Sequence, residues 1–388
     1  MAYRYIILGA GRQGTAAAYD LAKFGEAEQI VLADIRAEVA EAAAARINRL
    51  IGRQVAVPRR LDVADEAALR EALSGMDVAL SAVTYYFNVA ISRACIEAGV
   101  SLNDMGGNTG VVWEQLRLDE AARAAGVSIV PDCGMGPGLI NHMGVYVMDL
   151  LDAPREVYLY DAGLPQEPVP PWNYQCAFHL NGLTNEYDGE ATYIRDGKLV
   201  QVPTFTELET VEFPPLGQLE AFVISGSMST TPHTHLGRLQ RYESKVLRYP
   251  GHFAQFRAYK LLGLFSEEPV MVDGQAVVPR QFYHALLEKH ISAPLVKDIC
   301  IMRAIGIGRK DGRERRVTVD LIDRYDPVTG FTAMERLTGW HCALMMGFQA
   351  RGVIGPGAHR MECAVSAARV MEEIARRGIQ FTVRWEDL

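Results

Sequence analysis

Three patterns are missing from the 388-residue sequence, and each absence excludes a class of protein. No apolar run reaches the ~18 residues that a helix needs to span a bilayer, so we expect no membrane partner. Lysine and arginine form no basic cluster and the net charge is −8, which argues against a nucleic-acid partner. The six cysteines include no C-x-x-C pair, so we expect no disulfide or zinc framework and a reducing, cytoplasmic setting.

The length and composition favour a globular protein of two domains. A chain of 388 residues is too long for one ordinary domain, and 49% hydrophobic residues are enough to build two buried cores. An apolar, β-prone run begins within a few residues of Met1, so we expect no signal peptide in this sequence.

The first fourteen residues form the most informative stretch. An apolar run at 3–8 is followed by GAGRQG at 9–14 and then by an alanine-rich helical segment. This is a G-x-G-x-x-G motif between a strand and a helix, whose N-terminal N–H groups can bind phosphate. Gly9 permits the tight turn, Gly11 lets the backbone approach a pyrophosphate, and Gly14 lets the helix pack on the sheet. The motif predicts a dinucleotide-binding site.

An acidic residue at the expected distance supports this prediction. Asp34 ends a second apolar run 20 residues after Gly14 (34 − 14), where a ribose-binding carboxylate is expected. A carboxylate here favours NAD, whereas Arg36 could bind the 2′-phosphate of NADP, which is the less favoured cofactor. The alternative is a structural glycine turn in which Asp34 caps the next helix. Further cofactor contacts are expected in the glycine loop and after later strands, at Arg12, Gln13, Asp62, Val83 and Thr84.

The first 130 residues alternate strand-like apolar runs with helix-like segments joined by short links. This alternation predicts an α/β fold with a doubly wound parallel Rossmann sheet, whose ligands bind at the carboxyl ends of the strands. Strand-like segments dominate after about residue 150. They predict an α+β second domain with a mixed or antiparallel sheet.

Short motifs along nearly the whole chain resemble those of the saccharopine dehydrogenase-like family, and within it the lysine 6-dehydrogenase group. They are DMGG at 104–107, PDCGMGPG at 131–138, HLNGL at 179–183, RDGK at 195–198, LEAF at 219–222, LRYPGH at 247–252 and RKDG at 309–312. The resemblance implies an NAD- or NADP-binding Rossmann domain to which the final helices return. It also implies a second domain that covers the nicotinamide and builds a homodimer or larger homo-oligomer. We therefore expect a dinucleotide-binding domain at 1–135 and 345–388, and a substrate-binding and dimerisation domain at 136–344.

The resemblance also implies an activity, which is NAD-dependent oxidative deamination of an amino-acid side-chain amine. The most specific expectation is conversion of L-lysine to 2-aminoadipate 6-semialdehyde, which cyclises to a piperideine carboxylate. A neighbouring alternative is a reductase of the saccharopine or carboxynorspermidine type, which forms or cleaves a secondary amine. An alternative of another class is a nucleotide-binding sensor without redox chemistry.

Amine oxidation requires a group that takes a proton from the substrate ammonium. His179 and His252 are the predicted proton acceptors, because an unperturbed histidine titrates near neutrality and both lie in the family-like motifs. Asp104 follows a predicted strand in a glycine-rich turn and is expected to position the amine. The competing interpretations are buried core histidines and an aspartate that caps its own turn.

Polar and aromatic residues near strand ends are the candidates for substrate contacts. On the strand near 245–249, alternation places Lys245 and Tyr249 on one face and Arg248 on the other. An arginine could bind a carboxylate through two hydrogen bonds, although solvated strand charges are the ordinary case. The predicted substrate-binding set is Tyr85, Asp104, Asp132, Asn141, Lys245, Arg248 and Tyr249.

One pair of histidines has metal-ligand spacing. His233 and His235 would point the same way on a strand, but no third ligand stands nearby in the sequence. We therefore expect no metal site, and the expected ligands are a dinucleotide and a small amino acid or amine.

Overall fold

The first part of the chain alternates strands and helices. The structure is a computed structural model that describes residues 2–176, 179–293 and 295–388. In chain order the first elements are β1 (Tyr3–Leu8), α1 (Arg12–Phe24), β2 (Ala27–Asp34), α2 (Ala37–Ile51), β3 (Ala56–Arg60), α3 (Glu66–Leu73), β4 (Val78–Ser81), α4 (Asn88–Ala98), β5 (Ser101–Asp104), α5 (Thr109–Leu116), α6 (Asp119–Ala125), β6 (Ser128–Val130) and α7 (Leu139–Asp149). A 3-10 turn, Tyr85–Phe87, stands between β4 and α4.

The six strands form one parallel sheet in the order β3-β2-β1-β4-β5-β6. The strand order reverses between β1 and β4, so their carboxyl ends border the crevice where a doubly wound sheet binds its ligand. The apolar side chains of β1 and β4 are fully buried, because helices cover both faces of the sheet. This confirms the predicted Rossmann sheet.

A strand-rich region follows. Its elements are β7 (Ala153–Pro165), α8 (Leu180–Glu186), β8 (Glu190–Arg195), β9 (Lys198–Pro203), β10 (Glu209–Phe213), β11 (Gly217–Val223), α9 (Thr231–His235), β12 (Arg241–Arg248), α10 (His252–Leu261), β13 (Val270–Val272), β14 (Gln275–Val277), α11 (Pro279–Ile291), β15 (Asp298–Lys310) and β16 (Arg313–Arg324). The segment with His233 and His235 is therefore a short helix, α9, and not the predicted strand.

The remaining elements are α12 (Ala333–Ala350), β17 (Gly357–Ala358), α13 (Met361–Ala364), α14 (Ala367–Arg376) and β18 (Phe381–Asp387). The second sheet runs β10-β11-β12-β7-β15-β16-β18, with β8 beside β12 and β9 beside β8. Only the pairing of β12 with β7 is parallel among these, which confirms the predicted mixed sheet.

The C-terminal segment serves both sheets. Helix α12 packs on α1, and β17 extends the first sheet beside β6. Strand β18 instead joins the second sheet beside β16, whereas the sequence placed all of 345–388 in the dinucleotide-binding domain. The domain limits stay a prediction, but that part of it does not fit the strand pairing.

Helix α7, the next element after β6, covers part of one face of the second sheet by packing on β7 and β15. The loop from the end of β6 to the start of α7 therefore stands where the two sheets meet. In the described part of the chain, no helix is long and apolar enough to cross a membrane.

Candidate active site

The glycine loop leaves open space at one position only. A side chain at Gly9, whose φ is +106°, would meet the Ala82 carbonyl oxygen at 2.5 Å, and one at Gly14 would collide with the Gly9 backbone. A side chain at Gly11 would meet nothing within 4 Å. Gly9 and Gly14 thus shape the turn, while the space beside Gly11 is available to a ligand at the N-terminus of α1.

Asp34 lies beside this loop at the end of β2. Its Oδ2 accepts a 3.1 Å hydrogen bond from the Ala10 N–H, and its Oδ1 accepts a 3.0 Å bond from the Arg36 N–H. The Arg36 side chain is 66% exposed, and its Nε lies 3.9 Å from Asp34 Oδ1. The carboxylate is therefore placed beside the loop, as a ribose ligand requires, with an exposed cation next to it.

The other predicted cofactor residues surround the same crevice. Val83 contacts the position where a Gly9 side chain would stand, and Thr84 begins the 3-10 turn after β4. Arg12 is exposed and donates a 3.5 Å bond to the Ala293 carbonyl. Asp62 is also exposed and accepts a bond from the N–H of Ala64. The part-buried Gln13 leaves its Oε1 without a partner among the described residues. Their cofactor contacts stay predictions.

Asp104 is fully buried and holds a turn. Its Oδ1 accepts bonds from the N–H groups of Gly106 (2.8 Å) and Asp132 (3.2 Å), and its Oδ2 accepts a 2.7 Å bond from Gln115. Burial raises its pKa, and these three donors oppose that shift. The carboxylate is occupied by its own chain, so the geometry does not favour the predicted contact of Asp104 with a substrate.

Asp132 follows β6, and one of its two carboxyl oxygens accepts no hydrogen bond from a described residue. It is 4% exposed, adopts a left-handed conformation with φ +64°, and packs its Oδ1 over Gly106. That Oδ1 has no hydrogen-bond partner among the described residues, while Ser229 bonds the carboxyl group from the second domain. Burial raises the pKa of Asp132 to about 8. Such a carboxyl group can exchange a proton near neutral pH.

Arg248 is a buried cation on the inner face of the second sheet. It is 3% exposed, and its guanidinium lies 5.2 Å from the centre of the Tyr174 ring. Its Nε donates a 2.8 Å bond to the Tyr187 hydroxyl, and its Nη1 donates a 3.0 Å bond to the Leu247 carbonyl. Its Nη2 makes no hydrogen bond to a described residue and has only a long ion pair, 3.7 Å, with Glu186 Oε2, so this nitrogen can still donate to a ligand.

His252 contacts Tyr187, the residue that accepts the hydrogen bond from Arg248 Nε. Its Nε2 lies 2.8 Å from the Tyr187 hydroxyl, and its ring stacks on Phe256 with centroids 4.0 Å apart. Burial, together with the positive charge of Arg248, lowers the pKa of His252 well below its ordinary value. His252 is buried and bonded to a tyrosine, so the geometry does not favour its predicted role as the proton acceptor.

Two carboxyl groups that the sequence did not single out face Arg248. Glu186 ends α8 with 27% of its side chain exposed, and its Oε2 lies 3.7 Å from Arg248 Nη2. Asp161 on β7 is buried, and its Oδ1 has no partner among the described residues. Burial raises the pKa of Glu186 to about 8 and that of Asp161 to about 6. We call Arg248, Asp161 and Glu186 the head recess.

Neither carboxyl group belongs to a sequence motif. Asp161 lies within a long strand and Glu186 at the end of a short helix, far apart in the chain. The sequence pointed to Glu186 only indirectly, through its position three residues after the HLNGL motif at 179–183. Only the folded sheet brings them to Arg248.

Four predicted residues lie away from the head recess or are used by the fold. Lys245 projects to the outer face, where its Nζ lies 3.2 Å from Glu209, and the Tyr249 hydroxyl donates to the Pro165 carbonyl. The geometry does not favour their predicted substrate contacts, because alternation fixes which residues share a face but not which face is used. Asn141, in the first turn of α7, accepts a bond from the Gly138 N–H and donates one to the Thr231 hydroxyl at the start of α9. His179 is exposed at the start of α8, and its catalytic role stays a prediction.

Tyr85 connects the two domains at the crevice. Its hydroxyl accepts a 3.4 Å bond from Asn185, the neighbour of Glu186, and its ring borders Gly107. It thus stands between the end of β4 and the head recess, where a substrate contact was predicted. Within the described part of the chain, no group of three histidine, cysteine or acidic side chains could hold a metal ion.

The fold and the crevice define a two-domain dinucleotide-binding protein, and family comparison identifies it further. Residues 5–130 match the saccharopine dehydrogenase NADP binding domain, and residues 134–379 match the saccharopine dehydrogenase C-terminal domain. The chain belongs to the saccharopine dehydrogenase family. The first domain is accordingly an NAD(P)-binding domain, which confirms the resemblance found in the sequence.

Individual relatives are distant. The mitochondrial alpha-aminoadipic semialdehyde synthase of Mus musculus is 23% identical over 396 residues, covering 82% of this chain and 42% of the mouse protein. Carboxynorspermidine synthase of Vibrio cholerae is 25% identical over 260 residues, covering 63% of this chain and 61% of that protein. The chain thus spans less than two thirds of these relatives.

A solved structure shares the fold over the full length. The apo saccharopine dehydrogenase (L-Glu forming) of Saccharomyces cerevisiae superposes with a TM-score of 0.79 at 17% identity, covering 99% of this chain and all of the yeast chain. This likeness shows that both domains and their connection are arranged as in that protein.

Proposed function

We propose that this protein is an NAD(P)-dependent dehydrogenase that oxidises a carbon–nitrogen bond of an amine-bearing amino acid. The most specific form of the proposal is oxidation at Cε of L-lysine, which yields 2-aminoadipate 6-semialdehyde. The observation that carries it is the head recess, in which the buried Arg248 is ion-paired through Nη2 with Glu186 alone among the described residues and acts electrostatically on the buried Asp161. The names of the mouse and yeast proteins support the same chemical class.

Arg248 binds the substrate carboxylate in this proposal. The Nη2 of Arg248 can donate to the carboxylate, and a charge-assisted hydrogen bond is about twice as strong as a neutral one. The Tyr187 hydroxyl and the Leu247 carbonyl already hold Nε and Nη1, so little conformational freedom is lost when a carboxylate binds.

Asp132 accepts the proton of the reacting amine. Only the neutral amine can lose hydride, and lysine's ammonium has an ordinary pKa near ~10.4. Burial raises the pKa of Asp132 to about 8, which brings it closer to that of the amine than an exposed aspartate would be. Its Oδ1 has no hydrogen-bond partner among the described residues and lies next to Gly106, which follows β5.

The reaction then balances with water. NAD(P)+, when bound, supplies the hydride acceptor, and Asp132 takes one proton from the ammonium. Loss of a hydride from the neutral amine to the nicotinamide would leave an iminium, which adds water and releases ammonium to give the aldehyde.

A secondary-amine substrate is the second candidate. The Vibrio relative is named for a product with one carboxy group on a polyamine, and the head recess likewise contains one arginine. Arg241, a further candidate for a second carboxylate site, lies on the outer face with its Nε 3.3 Å from Glu243. A substrate with several carboxylates is therefore less well matched than lysine or a carboxylated polyamine.

We propose NAD rather than NADP as the preferred cofactor, because Asp34 stands where a 2′-phosphate would lie. Arg36 is free enough to change this preference if Asp34 is removed. We also propose a homodimer or larger homo-oligomer, since Leu261, Leu262 and Met271 expose about 70% of their surface. Light scattering on the purified protein tests the assembly.

The test of function is a screen of reduced-nicotinamide absorbance. Purified protein is incubated with NAD+ or NADP+ and each of L-lysine, L-ornithine, saccharopine and carboxynorspermidine. Production of 2-aminoadipate 6-semialdehyde from lysine supports the specific proposal, whereas oxidation of a secondary amine alone supports the second candidate. Calorimetric binding of NAD+ without turnover of any amine would favour the nucleotide-binding sensor.

A further inference from the structure

Strand register places Asp161 beside Arg248. Asp161 on β7 pairs with Val246 on β12, so both side chains point to the same face of the sheet. Arg248 is two residues further along β12 and therefore points to that face as well. The two side chains are close enough that the positive charge of Arg248 opposes the rise in the pKa of Asp161.

The Asp161 carboxyl group is built into the site without a partner of its own. The residue is 7% exposed, and its Oδ1 has no hydrogen-bond partner among the described residues. A methyl group on Gly136 would come within 2.8 Å of its Oδ2, so the absence of a side chain at 136 leaves room for the carboxyl group. A buried oxygen without a partner is unfavourable for folding, which suggests that a ligand completes it.

The charges of the head recess match an amino-acid zwitterion. Burial raises the pKa of Glu186 to about 8, so this group is mostly neutral at pH 7. Burial raises the pKa of Asp161 only to about 6, and Arg248 opposes the rise, so this group is mostly ionised. The recess then presents one positive and one negative group, which complements one carboxylate and one ammonium on the same carbon.

We infer that Asp161 binds the α-ammonium of the substrate while Arg248 binds its α-carboxylate. Asp161 is thus a specificity-determining residue that selects α-amino acids over ω-amino acids. The inference rests on the proposed function and extends it, because that proposal does not by itself say how the α-amine is recognised. Glu186 completes the recess as a hydrogen-bond donor to the carboxylate.

The experiment compares L-lysine with 6-aminohexanoate, which has the same carboxylate and terminal amine but no α-ammonium. The wild-type enzyme is expected to favour lysine in kcat/KM by at least about tenfold, as one charge-assisted hydrogen bond allows. Asp161→Asn should remove most of that preference through a higher KM for lysine and change kcat/KM for 6-aminohexanoate by less than about threefold. Asp152→Asn, at an exposed surface site, is the matched control.

A second variant protects the test against a folding defect. Gly136→Ala places a methyl group against the Asp161 carboxyl group and should lower the lysine preference in the same direction. Circular dichroism and thermal unfolding check that both variants fold. An equal loss with both substrates, or an unchanged preference in Asp161→Asn, would overturn the inference.

Failure of the proposed function gives a different result. If the wild-type protein oxidises neither compound, the dehydrogenase proposal is wrong for these amines. The inference is then decided by calorimetric binding of L-lysine and 6-aminohexanoate to the protein saturated with NADH. Tighter binding of lysine that is lost in Asp161→Asn would support it, and equal binding by the wild-type protein would contradict it.

Discussion

The Tyr187 hydroxyl accepts a 2.8 Å hydrogen bond from Nε of Arg248. The same oxygen lies 2.8 Å from Nε2 of His252. The three side chains form a chain of bonds that ends at the guanidinium, whose Nη2 makes no hydrogen bond to a described residue. Tyr187 therefore fixes the direction in which Arg248 meets its ligand.

Replacing this hydroxyl should weaken substrate binding more than chemistry. Tyr187→Phe keeps the buried ring but frees Arg248 Nε, so we predict a KM for the carboxylate substrate about tenfold higher and a kcat within about threefold of wild type. Steady-state kinetics measure this split. Tyr193→Phe, which removes a buried hydroxyl bonded to the Ser244 carbonyl, serves as the control. A large fall in kcat with unchanged KM would contradict a positioning role.

The glycine loop predicts two different outcomes for neighbouring substitutions. A side chain at Gly11 meets open space, so Gly11→Val should fold normally yet lose dinucleotide binding, because the ligand's pyrophosphate approaches there. Gly14→Val should instead lower the thermal unfolding temperature, since its side chain meets the Gly9 backbone. Calorimetric titration with NAD+ and thermal unfolding separate these effects. Tight NAD+ binding by Gly11→Val would refute the site.

Asp34 should control the choice of cofactor. We predict that Asp34→Ser raises the KM for NAD+ and improves the use of NADP+, because the substitution removes the negative charge and leaves Arg36 beside the 2′-position. The ratio of kcat/KM for the two cofactors measures the change. The double variant Asp34→Ser, Arg36→Ala should reverse the gain with NADP+. An unchanged ratio would show that Asp34 is not the ribose ligand.

These residues also show where sequence is sufficient. Gly9, Gly11, Gly14 and Asp34 act through local backbone geometry over a short stretch, and such patterns can be read directly. Alternation assigns Arg248 to the face opposite Lys245. Which of the two faces is covered by α7 depends on how the sheet packs in the folded protein. Sequence periodicity contains no information about that packing.

The carboxyl groups show the limit more clearly. Asp104 and Asp132 follow adjacent strands and looked equivalent in the sequence. The structure gives Asp104 three hydrogen-bond donors and leaves one oxygen of Asp132 unpaired. Asp161 and Glu186 gain their place only through contacts across the second domain, so no local motif could predict them.

The pH dependence of the rate should report Asp132. Burial raises the pKa of this carboxyl group to about 8, and only its ionised form accepts a proton. We therefore predict that kcat/KM rises with pH and levels off above about pH 8. Asp132→Asn should lower kcat by about 10²–10⁴-fold and remove that limb. If the rise of kcat/KM with pH persists in Asp132→Asn and is lost in His179→Gln, the proton acceptor is His179 and not Asp132.

The origin of the transferred hydrogen tests the proposed reaction most directly. L-Lysine that carries two deuterium atoms at Cε is incubated with the protein and NAD+. Mass spectrometry then measures the deuterium content of the reduced cofactor and of the aldehyde. Oxidation at Cε predicts one deuterium in the reduced nicotinamide, one in the aldehyde, and a slower rate than with unlabelled lysine. Two deuterium atoms retained in the product, or no reduced cofactor at all, would contradict it.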